Sequence, residues 1–221
     1  MSKPLEFITV DTAESPNSAV IWMHGLGADC HDFEGIVPQL GLQGKAIRFV
    51  FPNAPIRPVT INGGMKMRAW YDILEMTLDR KVDMANIKES VEQIEQMISE
   101  LEAQGIASDK VVIAGFSQGG VIAYQVALCG QYQLAGVMAL STYIADPDQV
   151  QDAQGHKNEK TPFLIQHGTL DPVVDPSLAV RANTLLNDKG YVTEYSTFPM
   201  PHSVCAEQVA VIGEWLNQRF A

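Results

Sequence analysis

The stretch KVVIAGFSQGGVIAYQVAL, residues 110–128, contains the pattern that decides the fold. Its beginning is apolar and rich in β-branched residues, which is typical of a buried strand. Its end is apolar with small residues, which is typical of a helix packed closely on a sheet. Between the two lies G-x-S-x-G, in which Ser117 has Gly115 and Gly119 two residues away on either side. This strand–turn–helix context predicts a tight turn that exposes the Ser117 hydroxyl at the end of a strand.

The rest of the chain alternates short apolar runs with amphipathic segments, which predicts an α/β fold with a mostly parallel central sheet and helices on both faces. Helices are predicted at about 84–104, from residue 176 onward and at about 206–220, and no repeat or long linker interrupts the pattern. We therefore expect one domain over residues 1–221. The candidate strands are residues 5–10, 19–23, 47–51, 110–114, 134–140, 162–166 and 193–198.

Composition excludes several classes of function. The net charge of −11 disfavours binding to phosphate backbones, so no nucleic-acid partner is expected. No apolar run approaches the roughly 18 residues of a membrane span, so no integral membrane association is expected. The three cysteines are too few and too scattered for a disulfide framework, and no signal-peptide pattern precedes the first strand, so we expect a cytoplasmic protein. Motifs for zinc, nucleotide or dinucleotide binding are absent, and neither a metal nor a cofactor is predicted.

A serine hydroxyl needs a base to take its proton before it can act as a nucleophile. His202 lies in the segment PMPHS between the last predicted strand and the last predicted helix, where Pro199 and Pro201 restrict the backbone. A stiff loop of this kind suits a residue that must be held in place, and we interpret His202 as the base. His156 is the other candidate, but it lies in the polar segment 146–161, which we expect to be an exposed loop.

The acid that orients the base is expected after an intervening strand. Asp171 follows the candidate strand 162–166 and precedes Pro172, which keeps it in extended backbone outside any helix. Asp175 is the main competitor, but its place before a proline-initiated helix explains it as an N-cap. Asp146 and Asp148, after the preceding strand, are the second alternative. We interpret Asp171 as the acid because it alone lacks a structural explanation.

Two backbone N–H groups should stabilise the oxyanion that forms during acyl transfer. One comes from Gln118, the residue after the nucleophile, at the start of the predicted helix. The other is expected in the glycine-rich turn HGLG, residues 24–27, which follows the early strand 19–23. Leu26 is the predicted donor of that turn, and His24 is expected to brace it.

The long connection between residues 51 and 84 predicts the substrate groove. It contains many apolar residues without a helical period long enough to bury them all, and connections of this length in compact domains are usually functional. We expect part of it to cover the strand ends near Leu26 and to form an apolar groove for an acyl chain. The candidate substrate-binding residues are Ile61, Met65, Trp70 and Leu74. For Trp70 the alternative is a place in the core, on a short strand that also contains Met67.

Four motifs occur in order along the chain: HGLG at 24–27, GFSQGG at 115–120, HGTLDPVV at 167–174 and PMPHS at 199–203. Together with RAWYD at 68–72, they resemble the phospholipase/carboxylesterase family of α/β-hydrolases, which contains bacterial carboxylesterases and acyl-protein thioesterases.

The resemblance implies an α/β-hydrolase fold, with Ser117, Asp171 and His202 as catalytic triad and with Leu26 and Gln118 as oxyanion donors. It also implies that the protein can form a homodimer. The chain departs from the family at Pro201, where small or flexible residues are expected before the base.

The sequence therefore predicts a metal-free acyl hydrolase that cleaves carboxylic esters, and also thioesters, of apolar acyl groups through an acyl-enzyme. The expected partner is a small-molecule or lipid-like acyl ester. Two alternatives within the same chemistry are a lysophospholipase and an acyl-protein thioesterase. A non-catalytic binding module on the same fold would be expected to lose a triad residue or a glycine beside the serine, and this chain retains them all.

Overall fold

The computed structural model describes residues 3–77 and 80–221, which contain eleven strands and four α-helices. The strands are β1 (Phe7–Asp11), β2 (Ser18–Met23), β3 (Ile47–Pro52), β4 (Ile56–Val59), β5 (Met65–Arg68), β6 (Ile73–Glu75), β7 (Lys81–Val82), β8 (Val111–Phe116), β9 (Gly136–Leu140), β10 (Phe163–Gly168) and β11 (Thr193–Phe198). The helices are α1 (Met84–Ala103), α2 (Gln118–Cys129), α3 (Pro176–Asp188) and α4 (Ala206–Arg219).

A seven-stranded sheet with the order β1-β3-β2-β8-β9-β10-β11 forms the centre of the molecule. Only β1 runs antiparallel to its neighbour among these strands, and all the other pairs are parallel. The predicted mostly parallel sheet is confirmed, with all seven predicted segments in it. Because β2, β8, β10 and β11 run in the same direction, the loops that follow them meet at one edge of the sheet.

Helices cover both faces of this sheet, as the sequence predicts. Along β2, Ala19 and Ile21 pack into one apolar cluster with residues of α1, α2 and α3, whereas Val20 and Trp22 pack into the opposite cluster with residues of α4. Burial on two faces explains why the strands are nearly continuous apolar runs instead of alternating ones.

The predicted helix starts agree with the observed caps. The Asp83 side chain accepts hydrogen bonds from two backbone N–H groups in the first turn of α1. The Asp175 side chain accepts one from Ser177 N at 2.9 Å, and Pro176 is the first residue of α3. These contacts satisfy N–H groups that have no partner within the helix. Asp175 is thus committed to a structural role, as the sequence indicates.

The long connection before α1 forms two short hairpins, β4 with β5 and β6 with β7. Residues 78 and 79 of this predicted groove segment lie outside the described residues. Met67 lies on β5 as expected, but Trp70 follows the strand, so the prediction of one short strand containing both residues is wrong. The Trp70 N–H donates to the Gln118 side chain instead of a neighbouring strand.

The segment 146–161 is less exposed than its polar composition predicts. Val150, Ala153 and Asn158 are buried in it. Asn158 Oδ1 accepts a hydrogen bond from Leu134 N at 2.9 Å, and its Nδ2 donates to Ala127 O at 2.9 Å. A polar residue can be buried where its hydrogen bonds are satisfied, which composition alone does not reveal.

Candidate active site

Ser117 occupies a strained turn between β8 and α2. Its φ of 54° and ψ of −116° are uncommon for a residue with a side chain, and such conformations cost on the order of 1–3 kcal/mol. Two hydrogen bonds hold the turn: Ser117 N donates to Leu140 O at 2.9 Å, and Thr142 Oγ1 donates to Ser117 O at 2.6 Å. The neighbouring strand β9 and the loop after it therefore fix the position of the Ser117 side chain.

The two glycines of G-x-S-x-G are required by close backbone contacts. A Cβ atom on Gly115 would lie 2.2 Å from the carbonyl carbon of Gly119, and one on Gly119 would lie 2.6 Å from the carbonyl oxygen of Met23. Both obstacles are main-chain atoms that cannot rotate away. These contacts let the start of α2 approach the ends of β2 and β8.

Asp171 and His202 are brought together although they are far apart in the chain. His202 Nδ1 lies 2.6 Å from Asp171 Oδ2. The Asp171 side chain is fully buried, whereas 15% of the His202 side chain remains exposed. The His202 ring also lies against Phe116, the residue before Ser117, with 4.7 Å between ring centroids. The imidazole is therefore held between a buried carboxylate and the serine turn.

The carboxylate of Asp171 is fixed by its own loop. Its Oδ1 accepts hydrogen bonds from Val173 N at 2.8 Å and Val174 N at 2.9 Å. With His202 on Oδ2, both oxygens of this buried carboxylate have hydrogen-bond donors.

The other candidates for base and acid are engaged elsewhere. His156, which the sequence predicts to be exposed, is half-buried, and its Nε2 lies 3.1 Å from Leu128 O. Asp146 Oδ2 accepts a hydrogen bond from the Gln149 side chain at 2.6 Å, and Asp148 is exposed.

His167 is a second histidine at this site, and the sequence alone did not indicate its role. It is fully buried, and its Nε2 lies 2.9 Å from Val174 O and 3.3 Å from Asp171 Oδ2. Burial lowers the pKa of His167, so the ring stays neutral and its Nε2–H donates to the Val174 carbonyl. This bond fixes the loop that presents Asp171. His167 is the first residue of the motif HGTLDPVV, and its place in this motif is the feature of the sequence that could have indicated its role.

The two predicted oxyanion donors line the same cavity as Ser117. Within residues 3–77 and 80–221, neither Leu26 N nor Gln118 N donates to a protein acceptor. Gln118 is the first residue of α2, so the partial positive charge of the helix N-terminus adds to its N–H. The cavity has a volume of about 250 Å³ and includes Leu26, Ser117 and Gln118 in its lining.

Trp70 supports this region from inside the core. Its side chain is fully buried, and its indole Nε1 donates to His24 O at 2.9 Å. The Gln118 side chain accepts from Trp70 N at 2.7 Å and donates to Tyr71 O at 2.6 Å. Trp70 therefore holds the turn of residues 24–27 next to the start of α2, and the expectation that it contacts substrate is corrected.

Of the three remaining candidates for substrate binding, one lines the cavity beside Ser117 and two do not. Ile61 lines the cavity that contains Ser117, together with Ile73 and Val173. Met65 and Leu74 are 64% and 36% exposed and lie outside its lining. They lie on β5 and β6.

His24 braces the same turn in the neutral form. Its Nε2 accepts from Ala54 N at 3.1 Å, so its Nδ1–H donates to Gly25 O at 2.7 Å. Burial is the main cause that lowers the pKa of His24, as it is for His167.

A pH dependence of stability follows from these two histidines. In the unfolded chain both histidines should have a pKa of about 6.5, whereas in the folded protein their pKa values are lower. Their contribution to the free energy of unfolding is complete above about pH 6.5 and decreases as the pH falls, by about 1.4 kcal/mol per pH unit for each proton taken up on unfolding. Urea unfolding between pH 8 and 5 measures this slope.

NMR titration of the imidazole C–H signals provides the matching control. His31 is exposed, and its hydrogen bond with Glu34 raises its pKa. We expect His31 to titrate at higher pH than His24 and His167. If the signals of the two buried histidines moved at the same pH as that of His31, the assignment of neutral buried rings would be wrong.

Within the described residues, no helix has both the length and the apolar character needed to cross a bilayer.

Comparison with known proteins shows which family this chain resembles. A family model described as phospholipase/carboxylesterase matches residues 6–219. Acyl-protein thioesterase 1 of Neurospora crassa is 35% identical over 212 residues, which cover 91% of this chain and 86% of that protein. Acyl-protein thioesterase 1 of Mycosarcoma maydis is 33% identical over 221 residues, which cover 92% of this chain and 91% of that protein.

Solved structures agree with the predicted α/β-hydrolase fold. SOBER1 of Arabidopsis thaliana is similar with a TM-score of 0.84 and 28% identity, over 92% of this chain and 99% of that chain. The carboxylesterase of Bacillus cereus has a TM-score of 0.79 at 15% identity, over 98% of this chain and 95% of that chain, a likeness that concerns the fold alone. The α/β-hydrolase fold is confirmed.

Proposed function

This chain belongs to the phospholipase/carboxylesterase family and is a serine hydrolase of the esterase and thioesterase type, and from this premise we propose that Ser117, His202 and Asp171 form its catalytic triad. The observation that carries the proposal is the 2.6 Å contact between His202 Nδ1 and the buried Asp171 carboxylate. This contact directs the proton to Nδ1 and leaves Nε2 able to accept one. An imidazole in this tautomer, packed against Phe116, the residue before a serine on a strained turn, is suited to general-base catalysis.

The reaction proceeds in two halves. In the first half, His202 Nε2 takes the proton of Ser117 Oγ as the oxygen attacks the acyl carbonyl, and Asp171 stabilises the imidazolium. The N–H groups of Leu26 and Gln118 donate to the oxyanion. Collapse of the tetrahedral intermediate breaks the bond to the leaving alcohol or thiol, which receives the proton from His202. In the second half, His202 takes a proton from a water molecule as that water attacks the acyl-enzyme. Collapse of the second tetrahedral intermediate breaks the bond between the acyl carbon and Ser117 Oγ, which receives the proton from His202 as the acid leaves.

The substrates are esters and thioesters whose acyl group enters the cavity beside Ser117. The apolar side chains of Leu26, Ile61, Ile73 and Val173 support an acyl chain there. The names of the two relatives that are at least 33% identical favour acyl-protein thioesters among the alternatives. A cytoplasmic location, homodimer formation and one domain over residues 1–221 stay predictions from the sequence.

A panel of p-nitrophenyl esters tests the acyl cavity. Each methylene group buried on binding contributes at most about 0.8 kcal/mol, or about a fourfold gain in kcat/KM. We expect kcat/KM to rise from acetate to hexanoate, chiefly through a lower KM. Thioesters of the same acids should also be cleaved, and a thiol-specific reagent measures the thiol that is released. A panel in which acetate was the best substrate would contradict the proposed acyl cavity.

Two matched substitutions locate the cavity in the sequence. Ile61→Asp places a carboxylate in the cavity lining, where it would lie against the acyl chain, and should raise KM for the hexanoate about tenfold or more. Leu74→Asp introduces the same charge on a side chain that lies outside the lining. We expect its KM for the hexanoate to stay close to that of the unmodified protein. Equal effects of the two substitutions on KM would show that the connection between residues 51 and 84 does not form the acyl-binding cavity.

A further inference from the structure

Arg80 lies at a junction between two cavities. It lines the cavity of about 250 Å³ that contains Ser117. It also lines a second cavity of about 350 Å³, formed by α3 and the segment after β9. Tyr143 is likewise part of both linings. The guanidinium group therefore marks the place where the acyl cavity meets the second cavity.

No ion pair within the described residues neutralises this guanidinium. Its Nη2 donates to Val173 O at 2.6 Å, its Nη1 donates to Met76 Sδ at 3.1 Å, and its central carbon lies 5.0 Å from the centre of the Tyr143 ring. Among residues 3–77 and 80–221, no carboxylate oxygen lies within 4.0 Å of it. An arginine is always charged in a protein, so a full positive charge faces a carbonyl group, a thioether and an aromatic ring.

The surroundings would strengthen a pairing with an anion. The hydroxyl groups of Tyr71 and Tyr143 are hydrogen-bonded to each other at 2.8 Å. Among the described residues that line the cavity with Ser117, Arg80 carries the only charged side chain. Apolar side chains such as Ile73 and Leu178 line the two cavities beside it. Charge-assisted hydrogen bonds are stronger in such a low-dielectric environment than in water. The net charge of −11 does not attract anions, so the attraction is local to these cavities, where Arg80 lines both and Arg181 lines the second.

We propose that Arg80 forms an anion subsite where the acyl cavity meets the second cavity, and that the enzyme accepts acyl groups with a carboxylate at their distal end. The substrates would be half-esters and half-thioesters of dicarboxylic acids. The inference rests on the proposed function, because it requires the acyl group to lie in the cavity beside Ser117.

The chemistry of the subsite explains why a carboxylate is preferred to a methyl terminus. A neutral acyl chain that reached Arg80 would remove the guanidinium from water without offering it an acceptor. A carboxylate at the same place accepts N–H bonds from it. Sites built to pair with a polar group of the substrate discriminate strongly against analogues that lack this group, because the site is then left unpaired.

The experiment compares p-nitrophenyl half-esters of adipic, suberic and sebacic acid with the neutral hexanoate, octanoate and decanoate. For at least one chain length we expect kcat/KM of the half-ester to exceed that of the neutral ester about tenfold or more, chiefly through KM. Arg80→Met should invert this ratio, and Arg80→Lys should retain part of it. Lys66→Met removes an equal charge from an exposed side chain on β5 and should leave the ratio unchanged. High salt should lower the ratio in the unmodified protein.

The outcomes separate this inference from the proposed function. If neutral esters were hydrolysed but the half-esters were worse at every length, and Arg80→Met did not change the ratio, the anion subsite would be wrong while the proposed function stood. If neither series were hydrolysed above the rate of Ser117→Ala, the proposed function itself would fail. Should Arg80→Met not fold, Arg80→Lys and the salt dependence still measure the ratio.

Discussion

Asp171→Asn is expected to lower kcat by about 10³–10⁴-fold while KM changes little. In the folded protein Asp171 Oδ2 accepts the Nδ1 proton of His202 at 2.6 Å. An amide NH₂ group at this position favours the other imidazole tautomer, in which Nε2 carries the proton and cannot accept one from Ser117. The loop itself should survive, because the amide oxygen can still accept from Val173 N and Val174 N. Steady-state kinetics and a thermal unfolding curve measure the two effects separately.

Asp175→Asn is the matched control for this prediction. The same chemical change, four residues further along the chain, affects the N-cap of α3, and asparagine caps about as well as aspartate. We expect kcat to stay close to that of the unmodified protein and the stability to change by only a few tenths of a kcal/mol. If Asp175→Asn were the more damaging of the two for kcat, the assignment of the acid would have to be exchanged.

Ser117→Ala is expected to have the largest effect, a loss of kcat on the order of 10⁶-fold. The substitution removes the nucleophile but leaves the turn, whose hydrogen bonds are made by backbone atoms of Ser117. Because the members of a catalytic triad act as a unit, adding His202→Ala to Ser117→Ala should lower kcat little further. Folding is checked by the melting temperature, which should stay close to that of the unmodified protein. A Ser117→Ala enzyme that kept a tenth of the activity would contradict the covalent mechanism.

The parts of the site that the sequence predicted are those whose signals are local. Gly115 and Gly119 are needed by contacts within one turn and with the adjoining strand, and the motif around Ser117 expresses this need directly. Asp175 could be separated from Asp171 because a helix cap is recognised from the residues that follow it. Motifs of this kind depend on a few neighbours in the chain.

The parts that the sequence missed depend on contacts between distant segments. Trp70 could line a groove or fill the core, and the Gln118 side chain, 48 residues away, holds its backbone beside the serine turn. The lining of the cavity beside Ser117 includes Arg80, Tyr143 and Val173, which come from three separate loops. No periodicity or spacing relates these residues, so only the folded structure could bring them together.

The central claim, that Ser117 is the nucleophile, is tested most directly by a covalent probe. An alkyl fluorophosphonate reacts with a serine only when the base and the oxyanion donors activate it, so labelling reports on the whole site. Peptide mapping by mass spectrometry should find one adduct, on Ser117, and no adduct in His202→Ala or Ser117→Ala. An adduct on Ser141 or Ser203, with Ser117 unmodified, would contradict the account.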